Sequence, residues 1–198
     1  TSSEIQTSSP PADVVNGKTC CGINTHNTHI KNIVSIATDV ERATFMEKRR
    51  NRGLDAPIAI ETIAANGTNA QKFIVTEEEA GKWSIQSVSS DMFVDVKNGS
   101  ATNGANVQQY TDNDSRAQRW KITEYGTRTL NGVECAVVTL GSYVTNDGAT
   151  FNMDVLNALT TNRANVDIET ASNETSQRFV LYPTDPVDED MPVAANLG

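Results

Sequence analysis

A chain of 198 residues, 37% apolar and 21% charged, has room for one domain of about 150 residues plus tails, or for two small ones. Its net charge of −9 and pI near 4.7 repel a phosphate backbone, which argues against nucleic acid as a partner. No stretch approaches the ~18 consecutive apolar residues of a membrane span, so no membrane insertion is expected.

Residues 1 to 29 carry Ser, Thr, Pro and Asn with little apolar periodicity, and Ser8-Ser9-Pro10-Pro11 reads as a linker. The start, Thr1-Ser2-Ser3-Glu4, has neither an initiator Met nor the pattern of a signal peptide, which predicts a piece of a longer protein. Cys20, Cys21, His26 and His29 also fall here. One of the two cysteines could bridge to Cys135, or all three thiols could be free. A shared metal is the weaker reading, because adjacent cysteines rarely both point at one ion, and no metal or cofactor is expected. The basic run Lys48-Arg49-Arg50-Asn51-Arg52 reads as a solvated loop.

From residue 30 onward the chain repeats itself. Alternating apolar residues open each unit: Ile33, Val34 and Ile36, then Trp83, Ile85 and Val88, then Val137, Val138 and Leu140. Each unit closes on Gln, any residue, aromatic: Gln71-Lys72-Phe73, Gln118-Arg119-Trp120 and Gln177-Arg178-Phe179. Asp95-Val96 and Asp154-Val155 both begin 23 residues before their closing Gln, and Ala105-Asn106-Val107 and Ala164-Asn165-Val166 both begin 13 before it. The first unit is looser, with Phe45-Met46-Glu47 slipped by one residue and Ile60 in the place of Val107. Asn-Gly pairs at 66–67, 98–99 and 131–132 mark tight turns, and a longer turn runs through Asn146-Asp147-Gly148. Glu77-Glu78-Glu79-Ala80 is the one segment read as a helical turn. Three units cannot close a propeller, which takes at least about four blades, so the expected fold is all-β, with three units of about four strands closing one barrel. The units span about 30–76, 82–124 and 133–182. The acidic, Pro-punctuated end, 183–198, reads as a second linker.

The second unit carries the clearest signature. Phe93-Val94-Asp95-Val96-Lys97-Asn98-Gly99-Ser100, then Asn103-Gly104-Ala105-Asn106-Val107-Gln108-Gln109-Tyr110, then Ala117-Gln118-Arg119-Trp120 resembles the repeat of the ricin-type lectins. The resemblance implies a β-trefoil over residues 30–182 with three pseudo-symmetric repeats, and shallow sugar pockets, at most one per repeat. It implies that Asp95 accepts hydrogen bonds from sugar hydroxyls, that Tyr110 stacks on the ring, and that Gln108 and Gln118 complete the pocket. In the third repeat it points to Asp154, Asp167 and Gln177, more weakly, because Glu169 stands where the aromatic belongs and paired carboxylates could favour a cation. The first repeat, with Glu47, Glu61 and Ile63, reads as structural. Ala117 departs from the asparagine often found before this Gln in the family. Beside that reading stands a plainer one: Gln71, Gln118 and Gln177 tie each repeat through backbone hydrogen bonds, Phe73, Trp120 and Phe179 are core, and Asp95 caps a turn.

A fixed carboxylate beside an amide and an aromatic face suits a sugar, whose hydroxyls need acceptors and whose apolar face needs a ring. The expected partners are therefore glycans, galactose-type by resemblance, with flanking domains of an extracellular or cell-surface parent. No enzyme is expected. Asp95 and Asp154 fall in different repeats, not across one scissile bond, and both histidines lie in the N-terminal segment. The alternatives are a structural or protein-binding trefoil with decayed sugar sites and, less favoured, part of a glycoside hydrolase. Asn66, Asn98, Asn113 and Asn173 head N-glycosylation triplets.

Overall fold

The computed structural model describes residues 32–40, 45–48 and 58–184. The N-terminal segment with its cysteines and histidines, the loop carrying Arg49, Arg50 and Arg52, and the chain beyond 184 lie outside the described residues. Among the described residues there is no α-helix, and twelve strands form one sheet. They are β1 (Asn32–Thr38), β2 (Phe45–Lys48), β3 (Ile58–Ile63), β4 (Phe73–Glu79), β5 (Lys82–Ser87), β6 (Phe93–Val96), β7 (Ala105–Tyr110), β8 (Trp120–Leu130), β9 (Val133–Ser142), β10 (Phe151–Val155), β11 (Ala164–Thr170) and β12 (Phe179–Pro183).

The pairings close on themselves. β1 pairs with β4, β4 with β5, β5 with β8, β8 with β9, β9 with β12, and β12 with β1, all antiparallel, which makes a six-stranded ring. The other six strands form the hairpins β2–β3, β6–β7 and β10–β11. These meet one another through β3–β7, β7–β11 and β11–β3, a triangle of hairpins. Each hairpin is also joined to the ring, through β1–β2, β5–β6 and β9–β10. The closed barrel expected from the sequence is thus present, and every strand has a neighbour on each side for at least part of its length.

Alternation explains which residues fill it. Val34 and Ile36 on β1, Phe73 and Val75 on β4, Val138 and Leu140 on β9 and Phe179 and Leu181 on β12 all point inward at the strand period of two. Trp120 is completely buried, and its indole N–H donates to the Val94 carbonyl at 3.1 Å, which leaves no polar atom of the ring unpaired. Trp83 joins the same core. A smaller cluster of Ala37, Phe45, Cys135, Val137 and Val180 lies apart from it. Cys135 is buried there and has no cysteine partner among the described residues.

Two details differ from the sequence reading. Glu77–Glu79 continue β4 rather than forming a helical turn: Glu77 pairs with Trp83 and Glu79 with Lys82 across a bulge at Glu78, and the reversal falls at Ala80-Gly81, where Gly81 has φ +77. Cross-strand pairing with a buried tryptophan outweighs the helical preference of a Glu run. The expected C-terminal linker begins later than residue 183, since Pro183 is paired with Val34 and the Thr184 N–H donates to Ile33. By contrast, Asn131-Gly132, with φ of 50 and 78, forms the two-residue turn of the β8–β9 hairpin that its sequence demanded.

Candidate functional site

The three closing glutamines make one and the same pair of contacts. The Oε1 of Gln71, Gln118 and Gln177 accepts the backbone N–H five residues upstream, from Asn66, Asn113 and Ser172, at 2.9, 3.1 and 2.7 Å. The Nε2 of each donates to the carbonyl seven residues upstream, of Ala64, Thr111 and Thr170, at 2.9, 2.9 and 3.0 Å. A primary amide carries one acceptor and two donors, so it can staple a loop that has no strand partner. Gln118 and Gln177 are buried; their amides hold the loops that border the sites, and they also reach the carboxylates of Asp95 and Asp154, whose charged forms they favour. Gln118→Ala leaves the Thr111 carbonyl and the Asn113 N–H without this partner. It is expected to cost about 2–4 kcal/mol in urea denaturation, well above the effect of an ordinary surface substitution.

The β6–β7 hairpin places the second unit's candidates. Asp95 and Gln108 are directly opposed across the two strands, and the Gln108 amide donates to Asp95 Oδ1 at 2.9 Å. Tyr110 is two residues beyond Gln108, hence on the same face, and is 51% exposed. After Asp95 the chain turns sharply at Asn98 and Gly99, both left-handed with φ of 59 and 58. Asp95, Gln108 and Tyr110 share one open cavity of about 530 Å³ with Asn98, Gly99, Asn113, Ser115, Arg116, Ala117, Val144 and Thr145. The structure therefore brings together three of the four residues expected there.

Asp95 is only 4% exposed. Burial pushes its carboxyl above the ordinary value, while the amides of Gln108 and Gln118 pull it back down. The Ser115 hydroxyl is buried on the cavity wall and has no hydrogen-bond partner. Ala117 also lines the wall. The far wall is supplied by the segment after β9. Tyr143 holds that segment in place, its N–H donating to the Arg119 carbonyl at 3.2 Å and its hydroxyl to the Gly81 carbonyl at 2.9 Å.

The third unit has the same register with different chemistry. Asp154 faces Asp167 across β10 and β11, and Glu169 takes the place of Tyr110. The Ser176 hydroxyl donates to Asp154 Oδ2 at 2.8 Å, from the position that Ala117 occupies in the second unit. Asp167 is 2% exposed and its Oδ1 has no partner. Burial first, then the Asp154 and Glu169 charges, push its carboxyl up to about 7 against a backbone hydrogen bond. Burial also raises Asp154, with Ser176 and Gln177 working the other way. Among the described residues no group of three or more His, Cys, Asp and Glu is placed to hold a metal ion. In the first unit Glu47 faces Glu61 and accepts a hydrogen bond from Asn66 Nδ2 at 2.5 Å. The side chains of Glu61 and Ile63 lie outside the described residues.

The sequence reading did not single out Ser115, Arg116, Val144 or Thr145 as site residues. Ser115 and Arg116 had a signal, since they adjoin Ala117-Gln118 in a motif whose flanks border pockets. Val144 and Thr145 had none, because they arrive from the next unit along the chain.

Comparison with known proteins follows the same line. Residues 69–153 match the family described as ricin-type beta-trefoil lectin domain-like. No curated protein matches the sequence. Among solved structures, a designed three-fold symmetric protein, ThreeFoil, is similar over 77% of this chain and 99% of its own, at 20% identity and a TM-score of 0.65. A ricin B-like lectin from Macrolepiota procera, solved in complex with lactose, is similar over 80% of this chain and 100% of its own, at 14% identity and a TM-score of 0.56. An exo-beta-1,3-galactanase from Clostridium thermocellum is similar over 80% of this chain but only 31% of its own, at 19% identity and a TM-score of 0.66. At these identities the likeness is one of fold, and with the matched family it makes this chain similar to the ricin B-like β-trefoil lectins.

Proposed function

From that likeness we propose that the chain is a non-catalytic carbohydrate-binding module of a larger secreted or cell-surface protein, with its best sugar site in the second repeat. The domain spans residues 30–184, two more than the sequence reading gave it, as three pseudo-symmetric repeats of four strands, flanked by linkers at 1–29 and 185–198. The observation that carries the reading is the shared cavity of Asp95, Gln108 and Tyr110. A carboxylate aligned by an amide accepts two neighbouring sugar hydroxyls, and the exposed phenol ring covers the apolar face of the sugar. The lectin solved with lactose supports a galactose-type ligand. The galactanase, of whose length this chain covers only 31%, supports a place as one domain of a larger protein. A single site of this kind binds weakly, and attachment to the parent protein raises its effective strength.

The test is a glycan array probed with residues 1–198. Hits among galactose-terminated glycans are expected. Tyr110→Ala is expected to weaken them about tenfold with no change in melting temperature, because the ring is half exposed and its loss costs about 1–1.5 kcal/mol of stacking. An array without hits removes the reading.

A second reading, a structural or protein-binding trefoil with decayed sugar sites, is favoured by one observation. The third unit opposes two carboxylic acids where the second opposes an acid and an amide. On that reading the array is blank and a protein partner is retained instead.

A further inference from the structure

The cavity of the second unit holds two charged residues of opposite sign, at different depths. Asp95 is buried and hydrogen-bonded to Gln108, whereas Arg116 is exposed. Arg116 forms no ion pair among the described residues. The nearest carboxylate in sequence, Asp114, is engaged by Arg119 instead. The position two residues before the closing Gln is Asn69 in the first unit and Thr175 in the third, so the cation occurs only in the unit that has the aromatic platform. Beside it, the Ser115 hydroxyl is buried in the wall without a partner.

An acidic protein repels anionic ligands at long range, and an unpaired guanidinium within a binding hollow reverses this locally. Guanidinium is planar and forked, and it matches the geometry of a carboxylate or a sulfate. The cavity exceeds what one hexose needs and leaves room for a substituent or a second sugar beside the one on Tyr110. We propose that Arg116 selects glycans carrying an anionic group, a carboxylate or a sulfate, next to the sugar held by Asp95 and Tyr110, with Ser115 as a second donor to that group. The inference rests on the lectin reading and adds the ligand's charge to it.

The experiment measures binding of the whole chain to matched neutral, carboxylated and sulfated forms of the same oligosaccharide: lactose, 3′-sialyllactose and 3′-sulfolactose. The acidic forms are expected to bind about fivefold more tightly than the neutral one at low salt, and the advantage is expected to shrink as salt is raised. Arg116→Gln is expected to bring the acidic-to-neutral ratio to about one, and Arg116→Lys to keep part of it. Preference for the sialylated or the sulfated form alone identifies which anion is taken. Equal binding of all three sugars, or a preference that survives Arg116→Gln, overturns the inference and leaves the lectin reading standing. Binding of none of the three, together with a blank glycan array, overturns both.

Discussion

Asp167→Asn is expected to stabilise the fold at about pH 8 by on the order of 2–4 kcal/mol, and to leave it nearly unchanged at about pH 4. The Asp167 carboxyl titrates near 7 in the folded protein, against 3.8 for a free aspartate, because it is buried and faces Asp154 and Glu169. Below about pH 4 it is protonated in the folded and unfolded chain alike, and nothing is lost. Between about 4 and 7 only the unfolded chain sheds the proton, so stability drains away as the pH rises through that window and levels off above it. Burial displaces Asp154 and Asp95 in the same direction, so the wild type should be most stable under mildly acidic conditions, the reverse of ordinary acid denaturation. The asparagine amide would donate to Asp154 as Gln108 donates to Asp95. Melting temperatures of both proteins from about pH 4 to 8 check this. Parallel curves would show that the buried acid pair is not the source of the slope.

Asp95→Ala is expected to lower affinity for the sugars bound by the wild type at least about tenfold, and up to about a hundredfold. On the lectin reading the carboxylate accepts from the sugar, and a hydrogen bond to a charged group contributes about 1.5–3 kcal/mol. Because Asp95 is paired with the Gln108 amide, the alanine variant also leaves that amide unpartnered. Asp95→Asn separates the two effects: it keeps an oxygen for Gln108 and loses only the charge, so its affinity should lie between those of the alanine variant and the wild type. Since burial raises the Asp95 carboxyl, binding should weaken as the pH falls through its titration while the fold remains intact. Titration calorimetry of the three proteins reads this directly. Unchanged affinity in Asp95→Ala would place the sugar elsewhere.

The repeat was legible because its markers are set by geometry rather than by taste in residue type. A closing Gln must reach backbone groups five and seven residues upstream, and its aromatic neighbour must enter the core, so neither position can drift. Asp95 and Gln108 were brought to one pocket by the resemblance alone, and the structure adds that they face each other across the β6–β7 hairpin. Other parts could not be read. Val144 and Thr145 reach the cavity through a loop fixed by Tyr143 to Gly81, 62 residues away in sequence, and no local pattern announces such a contact. The burial of Asp167 was also hidden, since an acid on an alternating strand ordinarily faces water, and the sequence does not show that β11 is flanked there by Asp154 of β10 on one side and Asn106 of β7 on the other. Glu77–Glu79 misled for the opposite reason, because a local preference was visible and the distant partner Trp83 was not.

The ring joins β1 to β12, so the first strand of the domain finds one of its two ring partners only when the last has been made. During synthesis on the ribosome, β1 through β11 can form hairpins, but an edge of β1 and an edge of β9 stay open until the residues around Phe179–Pro183 have left the exit tunnel. Closure is therefore the most non-local event in folding, and it carries the largest loop entropy. Translation that stops short of β12 would release a chain with two bare, aggregation-prone borders, whereas the finished barrel has none to offer.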